Sequence, residues 1–389
     1  MRDTVSIYIC ATHFVDKICL GNLKHVSFHP RVTCVTVLNT VALRMWFPVV
    51  RTWVCQLVLV MCLGIVPALS LQAARSPRRP LALSYSTGFE PWVGVIGKIE
   101  ALDLLGVMKM AKKEAIARDM SIDMGRSMTS VIADEEGVRL AASQALLATW
   151  DDLKKISKKE SRCYALYDDG SAPWHVTTMS ATTNIPASLC PPLREQGSPT
   201  IILGGFTMHR LSGDDMNPLE DTANKIRAMN IRRGDRVLDT CMGLGYTAIG
   251  AAQKAGQEGH VTTIEYDDAS VEMCGHNPWS QALFDGSMPI EILRGDSCEL
   301  IQKFPSNYFN HIIHDPPARA LCRKDLYGLQ FYKELFRVLA SSGSVLHYIG
   351  NPSSKESGRL YSGVIARMKE AGFRSVTTEA SAFGVVARK

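Results

Sequence analysis

From residue 236 onward the chain alternates short apolar runs with stretches of helical spacing. Arg236-Val-Leu-Asp239 reads as a buried strand, and 247–255 reads as a helix. Further strands are expected over 261–265, 290–293, 311–314 and 344–349. Helices are expected over 326–339 and 360–371, and two closing strands lie near 376–379 and 383–387. Strands alternating with helices in this way imply a mainly parallel, doubly wound sheet. In such sheets ligands sit beyond the carboxyl ends of the strands.

Upstream the pattern is less regular. Residues 100–117 have helical spacing, and 129–141 reads as a β-hairpin with Glu136-Gly137 at its turn. Residues 146–156 look helical. Strands are expected over 161–167, closed by Asp168-Asp169-Gly170, and over 200–206. Pro186, Pro191, Pro192 and Pro199 mark a loop-rich exit. This is a small α+β module without a catalytic motif of its own. It either caps and selects a substrate or gives packing support.

A different pattern covers 53–71, an uncharged apolar run of 19 residues, enough to cross a bilayer. Arg51 precedes it. Small residues follow at Ala68, Ser70, Ala73 and Ala74, ahead of basic Arg75, Arg78 and Arg79. That order is the logic of a cleavable signal. The run starts far from residue 1, however, and the body has no disulfide framework. A transit peptide or two-part import signal, a single membrane anchor and an over-extended gene model are the alternatives.

Charge sharpens this division. The 389 residues carry a net +5, but residues 1–80 hold nine Lys/Arg against two acids, leaving the body at −2. The basic leader therefore speaks of import or a membrane surface. The near-neutral body lacks a nucleic-acid signature. With no Glu before Glu90, the leader suits a plastid or mitochondrion. Without a genuine leader the expectation is cytoplasmic or membrane-anchored. The body cysteines have no CxxC spacing, so no metal or redox pair is expected. The organisation read here is a leader over 1–84, an accessory module over 85–215 and a nucleotide-type domain over 216–389.

Four motifs fall at the strand ends. In Leu238-Asp-Thr-Cys-Met-Gly-Leu-Gly-Tyr-Thr247, Gly243 and Gly245 let the backbone turn tightly and approach a ligand, and the next helix points free N–H groups into the site. Glu265 ends the second strand, 20 residues after Gly245, where an acid can accept both hydroxyl protons of a ribose. That spacing fits NAD or S-adenosylmethionine. Gly295-Asp296-Ser297 follows the third strand, where an acid can meet an adenine amino group. His311-Ile-Ile-His-Asp-Pro-Pro317 ends the fourth. Its prolines remove two N–H donors. The carbonyls near Asp315 and Pro316 are then free to accept protons from a nitrogen nucleophile, beside the Asp315 carboxylate. NAD enzymes do not need this arrangement.

Asp239 with Gly243 and Gly245, Glu265, Asp296 and Asp315-Pro316-Pro317 resemble the successive motifs of class I S-adenosylmethionine-dependent methyltransferases. More narrowly, Met208-His209-Arg210, the run 239–249, Asn277-Pro-Trp279, His314-Asp-Pro-Pro317 and Phe331-Tyr332 resemble a group of predicted archaeal methyltransferases, over about three quarters of the chain. The resemblance implies a Rossmann-like sheet. It implies S-adenosylmethionine held by Asp239, Gly243, Gly245, Tyr246, Thr247, Glu265, Asp296 and Ser297. Asp315 would orient the acceptor. His314 and His209 are candidate bases, Pro316 and Pro317 line the acceptor, and His347-Tyr348 is a candidate wall of its pocket. The acceptor is unidentified, with a small molecule or tRNA as candidates.

Amino-methyltransferases often place an aromatic after the two prolines, and here Ala318 stands there. Arg319, Arg323 and Lys324 form a basic cluster beyond it, either a solvated loop or a contact for a phosphate or acidic group. Asp315-Pro-Pro-Ala318 with Leu326-Tyr327 and Phe331-Tyr332 also resembles aminopropyltransferases of the spermidine synthase type, which use decarboxylated S-adenosylmethionine. A cofactor-binding sensor without catalysis is the third alternative.

Overall fold

The structure, a computed structural model, describes residues 92–195, 197–209, 217–317, 326–353 and 355–389. The apolar run 53–71, Arg210 and the segment bearing Ala318, Arg319, Arg323 and Lys324 lie outside the described residues. Among the described residues no helix is long and apolar enough to cross a membrane. The described residues belong to one compact unit.

The carboxyl-terminal part is a seven-stranded sheet. Its strands are β1 (Arg236–Asp239), β2 (His260–Glu265), β3 (Ile290–Arg294), β4 (Phe309–His314), β5 (Leu339–Tyr348), β6 (Ser375–Glu379) and β7 (Gly384–Arg388). The order is β3-β2-β1-β4-β5-β7-β6. The five strands from β3 to β5 are parallel, and β7 runs antiparallel between β5 and β6. Val237, Leu238, Ile264, Ile312, Ile313, Val345 and Leu346 have no exposed surface. That is why these strands read as continuous apolar runs. Strand order reverses between β1 and β4, and a crevice opens there beyond their carboxyl ends. The sheet is a doubly wound, Rossmann-like α/β fold, as the alternation implied.

Five helices cover the sheet: α1 (Pro218–Met229), α2 (Tyr246–Ala255), α3 (Asp268–Gly275), α4 (Leu329–Val338) and α5 (Lys355–Glu370). The sequence reading did not single out α1, although its signals are local. Asn217 caps it by accepting from Leu219 N, Pro218 opens it, and Asn230 ends it at φ 52°.

Two corrections concern the upstream part. The helix expected over 100–117 is Lys98–Gly106, followed by the short turn Met108–Ala111, and Ile116–Met120 is a strand. That strand pairs with Thr129–Ala133, so cross-strand bonding overrides a weak helical pattern. Likewise 146–156 divides into a strand, Leu146–Thr149, and a helix, Trp150–Ile156. Thr149 and Asp152 set the boundary as a capping box. The hairpin turn at Glu136-Gly137 forms as expected, with Asp134 accepting from both N–H groups.

A second four-stranded sheet orders Phe206–Thr207, Thr200–Leu203, Pro186–Cys190 and Thr177–Met179. Pro186 opens a strand here instead of marking a loop. This sheet lies against α3, and its turn Ser180–Thr183 is tied to that helix. Asp268 accepts from Ser180 Oγ at 2.8 Å, Ala181 N at 3.1 Å and Thr182 N at 3.0 Å, and Asp267 accepts from Thr183 Oγ1 at 3.1 Å. Burial alone would raise the Asp268 carboxyl, but these bonds hold it far below the usual carboxylate range.

Candidate functional site

The crevice at the strand ends has two lobes, of about 120 and 400 Å³. Met208, Cys241, Gly243 and Pro317 line both and form the junction.

The smaller lobe lies beyond β2. Glu265 and Asp296 line one side, and Thr183, Ile185 and Leu203 roof it from the upstream sheet. Glu265 is buried. Its Oε2 accepts from Gly243 N at 2.8 Å and its Oε1 from Asp267 N at 2.8 Å. Each oxygen keeps a second lone pair for a hydroxyl donor. Burial pushes this carboxyl up to about 7 against those bonds. Asp296 caps the short helix Ser297–Leu300 by accepting from Cys298 N at 2.7 Å.

Gly243 and Gly245 both have positive φ, 54° and 76°. They do different work. A Cβ at Gly243 would meet nothing nearer than Met208 Cε at 3.9 Å, so this face is open to the cleft. A Cβ at Gly245 would sit 2.4 Å from Leu283 Cδ1. Gly245 starts α2 and permits close packing; it does not line the lobes.

Asp239 lies beneath this loop with no exposed surface. Its Oδ2 accepts from Thr263 Oγ1 at 2.8 Å and Thr247 Oγ1 at 3.3 Å, and its Oδ1 has no partner among the described residues. Burial pushes the carboxyl up to about 7. A buried acceptor without a donor is costly, and a cationic group at the loop would relieve it.

The larger lobe lies between α1, the end of β4 and the hairpin leading to His209. Asp315, Pro316, Lys225, Tyr348 and His209 line it. Asp315 is not alone. Lys225 Nζ stands 2.5 Å from Asp315 Oδ2 and 2.6 Å from Asp221 Oδ2. Burial disfavours the ammonium, but the two carboxylates hold it above the usual lysine range. The sequence reading did not flag Lys225. The spacing of Asp221 and Lys225 is a local helix signal, but the Asp315 contact spans 90 residues. Neither the Asp315 nor the Pro316 carbonyl accepts a bond from the described residues. Pro317 O accepts from Tyr327 Oη at 3.3 Å.

Several expected site residues have polar groups engaged within the protein. His314 has no exposed surface and both ring nitrogens are engaged. Nε2–H donates to Leu326 O at 2.9 Å, which leaves Nδ1 to accept from Thr240 Oγ1 at 2.7 Å. Burial lowers it to about 4, and it lines neither lobe. His209 lines the larger lobe, but Thr200 Oγ1 accepts from its backbone N–H and stands 2.9 Å from Nδ1. Burial, then the Lys225 charge, lower His209 to about 4.

Tyr246 borders the larger lobe, and its Oη donates to Pro199 O at 2.8 Å and accepts from Asn277 Nδ2 at 2.8 Å. The Ser297 hydroxyl donates to Thr240 O. Thr247 spends its hydroxyl on Asp239 and borders the larger lobe. Of His347-Tyr348, Tyr348 lines the lobe, while His347 is buried with Nε2 2.9 Å from Tyr332 Oη.

No family model matches the chain. The uncharacterized protein MJ1233 of Methanocaldococcus jannaschii is 37% identical over 280 residues, which are 72% of this chain and 91% of that protein. A demethylmenaquinone methyltransferase of Listeria monocytogenes is 28% identical over 120 residues, 31% of this chain and 46% of that enzyme. Among solved structures, a spermidine synthase from Thermotoga maritima overlays with a TM-score of 0.41 at 15% identity, covering 56% of this chain and 74% of that one.

Proposed function

The chain belongs to the family of the uncharacterized archaeal protein MJ1233, and on that premise we propose that it transfers a methyl group from S-adenosylmethionine to an amine nitrogen. The observation that carries the reading is the junction of the two lobes at Gly243 and Pro317. A recess lined by Glu265, Asp267 and Asp296 meets a lobe lined by hydrogen-bond acceptors.

The residues fit the cofactor. Glu265 keeps lone pairs for ribose hydroxyls, and the open face of Gly243 admits close backbone approach. The unpartnered Oδ1 of Asp239 suits a cationic amino group near the loop. When bound, S-adenosylmethionine supplies an electrophilic methyl on a sulfonium. The protein's part is then mostly positioning. Asp315 and the Asp315 and Pro316 carbonyls accept the N–H groups of an amine and aim its lone pair across the junction. The upstream sheet shields the nucleoside side from water through Thr183, Ile185 and Leu203.

The test supplies S-adenosylmethionine with small-molecule and tRNA fractions of an extract and measures release of S-adenosylhomocysteine. Methylated product in one fraction supports the reading. Product only with decarboxylated S-adenosylmethionine would replace it with aminopropyl transfer. Binding without product in any fraction would replace it with a sensor.

A further inference from the structure

Lys225 is 3% exposed yet carries a full charge into the wall of the larger lobe. Three elements converge on its Nζ. Asp221 comes from one turn earlier in α1, at 2.6 Å, and Asp315 from the end of β4, at 2.5 Å. Tyr348, ending β5, offers its ring face at 4.4 Å from the centroid. An ammonium has three protons, and two carboxylates and an aromatic face use them all. Nothing is left with which Lys225 could grip an acceptor. Its effect falls on Asp315, whose Oδ2 it holds and whose Oδ1 has no partner among the described residues.

We propose that Lys225 is the positioning residue of the acceptor lobe, locking Asp315 as an ionised hydrogen-bond acceptor that orients an amine entering as its neutral base. This rests on the methyl-transfer reading above. Burial raises the Asp315 carboxyl above the usual carboxylate range, and the Lys225 ammonium at contact distance opposes that shift and favours the ionised form. The amine brings its own lone pair. That pair forms the new N–C bond, the S–C bond breaks with its electrons going to sulfur, and the proton on the resulting ammonium leaves to water afterwards. The other titratable groups facing the pair are His209 from the hairpin, Asp239 and Cys241 below the glycine loop, and Tyr348 itself. His209 is neutral through the neutral pH range, so Lys225 is the cation that sets the Asp315 charge among the described residues.

The experiment compares two ligands by calorimetry on the full chain between pH 6 and 8. S-adenosylhomocysteine has nothing where the transferred methyl sits, and sinefungin carries an amine there. Wild type prefers sinefungin by a ratio that stays constant over this range. In Lys225→Met the ratio falls at least tenfold from pH 8 to pH 6, because Asp315 without its counter-ion takes up a proton. Lys225→Arg restores the wild-type profile. S-adenosylhomocysteine alone binds the variants within twofold of wild type. Should Lys225→Met not fold, the double variant Asp221→Asn/Lys225→Met removes one anion with the cation and carries the same expectation. A folded variant that binds S-adenosylhomocysteine and keeps the constant ratio would overturn this inference alone. A wild-type chain that binds neither ligand would overturn the methyl-transfer reading and this inference with it.

Discussion

The two lobes treat charge in opposite ways. Glu265 in the smaller lobe and Asp239 beneath the glycine loop are buried with no paired cation among the described residues, both are pushed up to about 7, and Asp239 Oδ1 has no partner there. In the larger lobe the buried Lys225 ammonium is already paired, lying between the partly buried carboxylates of Asp221 and Asp315. The first is completed by what it binds; the second is complete before anything enters. Buried charge is tolerated only when paired or neutralised. A strained, uncompensated pair of acids therefore marks where a cationic ligand belongs. A buried ammonium already held by two carboxylates marks a surface built to hold geometry.

The strongest way to break this contrast is Asp315→Ala. It should lower turnover more than 100-fold, roughly 3 kcal/mol of transition-state stabilisation. It should leave S-adenosylhomocysteine affinity within about threefold, since Asp315 lines the larger lobe and not the smaller. Rates of S-adenosylhomocysteine release with the productive fraction, beside calorimetry, check both halves. Full turnover would remove Asp315 from the chemistry.

The glycines of the loop sharpen the same contrast. Gly245→Ala places a Cβ against Leu283 and in a left-handed conformation. About 3 kcal/mol of stability should be lost from strain and overpacking together. Gly243→Ala carries only the left-handed strain, about 1 kcal/mol. It should instead weaken S-adenosylhomocysteine binding, because its Cβ enters the cleft. Denaturant unfolding separates the two. Equal losses of stability would show that the loop has no ligand-facing side.

The uncompensated acids make the smaller lobe sensitive to pH. Only the ionised form of Asp239 attracts a cationic amino group. With a carboxyl titrating at about 7, the ionised fraction rises from about a tenth at pH 6 to about nine tenths at pH 8. S-adenosylhomocysteine affinity should therefore rise about tenfold from pH 6 to 8, and Asp239→Asn should flatten most of that rise. The His pair works the other way on stability. The rings of His314 and His347 lie with centroids 4.4 Å apart, tilted at 47°, and burial lowers both below their unfolded value near 6.5. Their neutral forms stabilise the fold above that pH, and the contribution is lost as pH falls toward 4.

What the sequence displayed and what it hid follows the same division. The parallel strands and the loop Asp239–Gly245 were legible because their signals are local: apolar runs, glycines at fixed offsets, acids at strand ends. Gly243, Glu265, Asp296 and Asp315 come to the cleft as their positions implied. Lys225 was hidden because its partner lies 90 residues away on another element. Tyr246 and Ser297 line the lobes and His314 does not, and the hydrogen bonds of all three were hidden for a related reason. Sequence places a polar group near a site without showing that Pro199, Thr240 or Leu326 has already taken its bonds. The roof was hidden as well, since Thr183, Ile185 and Leu203 carry no motif.

That roof supplies the smallest expected effect and decides what the upstream module is for. Asp268 holds the Ser180–Thr183 turn through three bonds and does not line either lobe. In Asp268→Ala those donors turn to water, at about 1 kcal/mol of stability because the site is only partly buried. If the turn positions Thr183 and Ile185 over the nucleoside, S-adenosylhomocysteine affinity should fall about threefold, some 0.7 kcal/mol. Turnover at saturating cofactor should not change, because the larger lobe is untouched. Asp268→Asn, which keeps one carbonyl oxygen as acceptor, should fall between wild type and alanine. Loss of stability with unchanged affinity would make the module packing support. Loss of both in proportion would make it part of the binding site, with the smaller lobe assembled from two stretches of chain that only the fold brings together.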